Sequence, residues 1–257
     1  MKNLQILILE NGICTMSFPK NRIKLQHIKP VQDTFYHISL PFDASSAPWI
    51  KQPLRKKIAK LPICGTLADP KLSFLNLPTP QDAKDGYALY RALLFPLVSS
   101  ILSLLFPSGG TRAVIDCSQP INLFPLLAPA FREIVILCPM QDREAYAQEL
   151  LCTFGVAPIF MSQIPPCDFL ITDQKLSGSS EPISCVLSFA GHFPHARRRI
   201  DHNRILLKPQ AALRTALPDF VKELPLSEGA AVLSATEHIF SPAHFLPRPL
   251  FALSDKA

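Results

Sequence analysis

Between residues 113 and 189 the chain alternates short, unbroken apolar runs with segments of helical length, and this alternation constrains the fold more than any other feature. The runs are Ala113–Cys117, Glu133–Cys138, Ala157–Met161, Asp168–Thr172 and Ser184–Phe189. A strand with one wet face alternates polar and apolar residues, whereas a continuously apolar strand is covered on both faces, as in a parallel sheet. Helical segments at Ile121–Phe131 and Arg143–Phe154 separate the first three runs, with Asp142 as N-cap of the second helix and Gly155 as its stop. This succession predicts parallel pairing through right-handed crossovers, hence an α/β fold with a doubly wound, mostly parallel sheet. Just upstream, Asp85 is placed to cap a helix running from Tyr87 to Leu105, kinked or divided at Pro96.

The first 42 or so residues read differently. Leu4–Glu10 and Ile13–Phe18 flank Asn11-Gly12, a pair that favours the positive φ angles of a tight hairpin turn. Ile23–Ile28 and Thr34–Leu40 continue the β pattern, so a small antiparallel β meander is expected. A proline-punctuated connector follows, carrying the basic run Arg55-Lys56-Lys57. Three segments result: a β-rich region with connector (1–82), the α/β core (83–207), and a helical segment with a proline-rich tail packing on that core (208–257).

Composition narrows the class. In 257 residues, 48% are hydrophobic, enough for a sizeable core, which excludes global disorder. Lys and Arg outnumber Asp and Glu by 26 to 20, a mild excess that permits an anionic or protein partner. Seven cysteines, an odd number with no CxxC pair, read as buried, reduced thiols and place the protein in the cytoplasm. The N-terminal apolar run ends at Glu10-Asn11-Gly12, too early for a signal peptide. Ala92–Phe106 is apolar but shorter than the ~20 residues that span a bilayer, so it is read as a buried helix and no membrane span is expected.

Residues 113–173 resemble the nucleotide-binding half of a Rossmann-fold dehydrogenase. The likeness lies in Ala113-Val114-Ile115-Asp116, Glu133-Ile134-Val135-Ile136-Leu137, the helix end Phe154-Gly155-Val156, and Cys167-Asp168-Phe169-Leu170-Ile171-Thr172-Asp173. The resemblance implies a Rossmann-like scaffold and a crevice at the carboxyl ends of the strands. The family's phosphate turn needs glycines so that the backbone can approach a pyrophosphate. Here that turn reads Cys117-Ser118-Gln119-Pro120-Ile121-Asn122, without a glycine. It also fails the glycine-rich pattern of methyltransferases, although Asp116 stands where those proteins often carry an acid. The nine glycines, at 12, 65, 86, 109, 110, 155, 178, 191 and 229, form no GxGxxG, P-loop or GxSxG anywhere. No cofactor is therefore predicted, and NAD(P) affinity tighter than millimolar is not expected.

The candidate ligand crevice comprises Ser118, Gln119, Asn122, Asp142, Asp173, Gln174 and His192, all near the ends of expected strands. His192, His195, Asp201 and His202 do not have the spacing of a helical metal-ligand pair, so no metal site is assigned. Arg197-Arg198-Arg199 is the candidate anion contact, read as part of a polar loop after the fifth run. Only Phe193 is interleaved with those charges, which gives nucleic-acid binding weak support. No catalytic residues can be assembled from spacing, and the sequence favours a non-catalytic binding or regulatory protein over an enzyme. The alternative is a small-ligand protein or enzyme with a glycine-free site at the same edge, an NAD(P)-dependent oxidoreductase being its narrower form.

Overall fold

The computed structural model describes residues 5–10, 24–28, 35–39, 52, 55–56, 63–68, 83–137, 143–155, 157–174, 177–217, 221–235, 241–250 and 252–253. Two compact units emerge, one of residues 1–89 with 207–246, the other of residues 90–206 with 247–257. The second contains the expected α/β core. Residues 207–246 fall in the first unit and residues 247–257 in the second.

In the first unit, β1 (Gln5–Glu10), β2 (Lys24–Ile28), β3 (Phe35–Ser39) and β4 (Ile63–Ala68) form a sheet in the order β2-β3-β1-β4. Of the strands expected in this region, Leu4–Glu10, Ile23–Ile28 and Thr34–Leu40 correspond to β1, β2 and β3, while Ile13–Phe18 lies outside the described residues; β1, β2 and β3 are not paired as a simple meander. Only β2 and β3 pair antiparallel; β1 runs parallel to both β3 and β4. Strand β4 was hidden by the prolines that bracket it at Pro62 and Pro70. The hairpin expected at Asn11-Gly12 lies outside the described residues.

Helix α1 (Ala83–Ala92) is followed by α2 (Leu94–Leu105), so Asp85 lies inside α1 and does not cap it. The division falls at Leu93, three residues before Pro96. Proline lacks an N–H and its ring clashes with the carbonyl four residues back, here Ala92, so the helix restarts with Pro96 in its first turn, where no N–H is needed. Among the described residues no single helix is long and apolar enough to cross a membrane.

The second unit is built on β5 (Gly110–Asp116), a 3-10 turn at Pro120–Leu123, α3 (Phe124–Leu127), β6 (Phe131–Leu137), α4 (Arg143–Phe154), β7 (Ile159–Met161), β8 (Cys167–Thr172), β9 (Ser177–Gly178), β10 (Ile183–Ser188), β11 (Gly191–His192) and β12 (Ala196–Ile200). Strands β12-β10-β8-β5-β6-β7 lie side by side and all run parallel. This is the mostly parallel α/β sheet that the apolar runs predicted. Val114, Ile115, Val135, Ile136, Phe169, Leu170 and Ile171 are each at most 1% exposed. Burying a side chain of this size contributes about 1.5–3 kcal/mol, so these central strands carry much of the core.

The crossovers differ on the two sides of β5. Between β8 and β10, and between β10 and β12, only ten and seven residues intervene. A parallel crossover through a helix needs a dozen or more. Here the chain returns instead through β9 and β11, which pair parallel with each other, while Phe193, 1% exposed, belongs to the same buried cluster as Val114, Leu170 and Val186.

After the second unit's strands come β13 (Ile205–Pro209), α5 (Ala211–Ala216), β14 (Leu224–Pro225), α6 (Leu226–Ala235), β15 (Phe245–Pro249) and β16 (Ala252–Leu253). Strands β14-β13-β15 form a small sheet, and β16 adds to β12 antiparallel, so the tail is tied in by strand pairing. Helix α6 packs on β4 and β1. It also lies close to β13, where a Cβ at Gly229 would collide with the Leu207 side chain.

Candidate functional site

Strand order locates the site. The chain leaves β5 toward β6 and β7 on one side and later returns to β8 and β10 on the other, so the crossover direction reverses between β5 and β8. Open α/β sheets bind ligands outside the carboxyl ends of strands at such a switch point. Here those ends are Asp116 on β5 and Thr172 on β8, which are register partners.

Asp173, the residue after β8, is 1% exposed. Its carboxylate accepts from the Ser118 backbone N–H at 3.1 Å and from Ser118 Oγ at 2.6 Å. Arg91, in the last turn of α1, brings Nε to 3.2 Å from Asp173 Oδ2 and donates through Nη2 to Ser118 Oγ. A buried carboxylate requires such partners, because an unpaired charge out of water is very costly. The amide and hydroxyl that open the turn after β5, which a bound phosphate would need, therefore face the protein's own carboxylate.

The rest of the turn offers little to an anion. Cys117 is buried with Sγ 3.6 Å from Ile171 O, and burial, reinforced by Asp173 and Asp116, pushes its thiol well above the usual range. Pro120 has no N–H, and Asn122 Nδ2 donates to Gln119 Oε1 at 3.0 Å on the exposed surface. Cys167 and Cys185 are likewise buried, and burial pushes each thiol up to about 12, which removes them as nucleophiles at neutral pH.

Asp116 is less enclosed. Thr172 Oγ1 donates to its Oδ2 at 3.0 Å, and Gln174 N donates to the same hydroxyl at 3.1 Å. Burial raises the Asp116 carboxyl above 3.8; the Thr172 hydrogen bond opposes the shift and the Asp173 charge adds to it. A raised value means that the folded protein holds this proton more tightly than the unfolded chain, so stability falls as pH rises from 3.8 through the folded value. Asp116→Asn is expected to match or exceed the wild-type urea midpoint at pH 7, with the advantage gone once the pH is below 3.8. A variant less stable than wild type at pH 7 and equal to it in acid would contradict this assignment.

Of the residues named from sequence, Ser118 and Asp173 meet directly, Gln174 reaches the site through its backbone, and Gln119 and Asn122 pair with each other on the rim. His192 lies on β11, exposed and paired to Gly178, and makes no hydrogen bond to the cluster among the described residues. Asp142 lies outside the described residues. Arg91, Asp116 and Thr172 were not among the candidates, and Arg91 carried no local signal at all. No known protein family matches the chain, and no curated protein is similar to it.

The arginine triplet is not in a loop. Arg197, Arg198 and Arg199 lie on β12, where successive side chains point to opposite faces, so they present no common three-pronged surface. Arg198 is in register with Cys185 and Leu253, Arg199 with Val186 and Ala252, and Arg199 donates to Gly191 O at 3.4 Å. The run was misread because strands are recognised by apolar residues, and here the buried positions are only the ends, Ala196 and Ile200. Of the other basic run, Arg55 and Lys56 are described and both are exposed.

The histidines nearby do not converge. His202 stacks on Phe189, its Nδ1 against Phe189 O, while Asp201 caps the following turn through Asn203 N at 3.1 Å. Among the described residues no group of three or more His, Cys, Asp or Glu is placed to hold a metal. At the amino end of the sheet an open depression of about 530 Å³ is lined by Phe106, Gly109, Gly110, Phe131 and Arg132. The amides beside it are already used, Gly110 N by Ala130 O and the Thr111 and Arg112 amides by Asp168.

Proposed function

We propose that this protein is a non-catalytic binding or regulatory protein of the cytoplasm, built on a Rossmann-like scaffold that has lost its phosphate site. The strand order around β5 and the reversal at β8 support the scaffold. One observation supports the functional reading: Asp173, buried against Ser118 and Arg91, sets a carboxylate of the chain itself against the amide and hydroxyl that a ligand's phosphate would need. Four free cysteines among the described residues, three of them buried, fit a reducing compartment.

A second reading, an enzyme or small-ligand sensor with a glycine-free site, draws on Asp116, whose raised carboxyl at the switch point has the character of an acid or base. A thermal-shift panel of NAD(H), NADP(H), ATP and S-adenosylmethionine tests the proposal. A ligand at 100 times its dissociation constant adds about 2.7 kcal/mol of stability, which such a scan resolves easily. The expected result is no shift at millimolar concentration. Saturable stabilisation by either dinucleotide would overturn the proposal.

A further inference from the structure

The arginines of β12 lack what Arg91 has at the switch point, a counter-charge. Between Asp173 and Asp201 the chain carries one acidic residue, Glu181, against Lys175 and the three arginines. Arg112 and Arg204 are matched to Glu133 and Asp201, whereas Arg197, Arg198 and Arg199 make no ion pair among the described residues. The flanking strands supply no acid either, since every register partner of β12 on β10 and β16 is uncharged. Charge left unmatched on a strand face attracts an anionic partner.

Strand geometry divides that charge and limits the partner. Side chains alternate in direction along a strand, so Arg197 and Arg199 leave one face of β12 about 7 Å apart and Arg198 leaves the other. Arg197 is exposed and Arg199 half-buried. Arg199 Nη2 donates to Gly191 O at 3.4 Å, which holds this side chain against β11 and leaves most of its N–H groups for a ligand. An extended acidic segment sets alternate carboxylates at the same spacing of about 7 Å, and each guanidinium fork can take one carboxylate through paired hydrogen bonds. Single-stranded nucleic acid needs aromatic side chains on which its bases stack as well as charge. Phe193, the aromatic residue next to the run in sequence, is 1% exposed and closed to a base. Resting on the binding-protein reading above, we infer that the Arg197 and Arg199 face of β12 docks an extended acidic segment of a partner protein.

Fluorescence anisotropy tests this, with the full chain titrated at physiological salt into a short labelled peptide that alternates Glu and Thr. Saturable binding is expected, with oligo-dT of matched length at least about tenfold weaker, a difference of about 1.4 kcal/mol. Combining Arg197→Gln with Arg199→Gln should weaken peptide binding at least about tenfold, whereas Arg198→Gln, on the opposite face, should change it less than about twofold. Arg197→Gln alone removes an exposed side chain with no ion pair, so it keeps the wild-type Tm and gives the same contrast with Arg198→Gln should the double variant unfold. No saturable binding of the acidic peptide, equal losses on the two faces, or oligo-dT binding as tightly as the peptide would overturn the inference. Each of these results leaves the non-catalytic reading standing, whereas micromolar NAD(P)H binding to the same protein would refute that reading separately.

Discussion

Asp173→Ala is expected to lower stability by about 3 kcal/mol in urea unfolding. Breaking a buried pair by removing one partner typically costs about 3–5 kcal/mol, because the remaining groups lose their counter-charge without regaining water. The lower end applies here because Arg91 remains 39% exposed and can rehydrate, whereas the Ser118 amide and hydroxyl lose the acceptor they face. Asp173→Asn keeps the size and one acceptor oxygen, so about half that loss is expected. An alanine variant within about 0.5 kcal/mol of wild type, the range of an ordinary surface substitution, would show that the cluster does not hold the two strand ends together.

Phe169→Ala is expected to cost about 3–5 kcal/mol, the range for removing a buried aromatic ring. Phe169 is fully buried at the centre of β8, stacked on Phe106 with ring centroids 5.4 Å apart and packed on Phe131 at 6.3 Å. The ring thus joins the end of α2, at its C-cap Phe106, to β8 and β6. Phe169→Leu retains most of the apolar contact and should lose less than half as much. The measurement is the urea midpoint of each variant, and a loss below about 1 kcal/mol for alanine would mean that this face repacks freely.

These two residues differ in how legible they were. Phe169 belongs to an apolar run that no surface strand would carry, and the same reasoning found Val114, Ile115, Val135 and Ile136. The helix Arg143–Phe154 was located to the residue by its terminal Gly155, which adopts the positive φ of 66° that such a stop favours. Strand β12 escaped because its interior is three arginines, and β9 and β11 because two-residue strands leave no periodicity to read. The crossovers were misjudged beyond β8, where the chain is too short between strands to hold a helix.

The site was half legible. Ser118 and Asp173 could be placed near strand ends from the runs that precede them. Their bond could not, since 55 residues separate them and only the parallel register of β5 and β8 brings them together. Arg91 was invisible for the same reason: it precedes Ser118 by 27 residues and lies on a helix whose path depends on the break at Leu93.

The central claim is that an internal carboxylate fills the phosphate position, and chemical rescue tests it most directly. Thermal unfolding of wild-type protein and of Asp173→Ala should be followed across a formate titration, with chloride at matched ionic strength as the control. Formate is the carboxylate that the substitution removes, and Ser118 and Arg91 remain to receive it. The account predicts a saturable rise in the Tm of the variant that chloride does not reproduce, and no such rise in wild type. Parallel responses of the two proteins to formate and to chloride would contradict it.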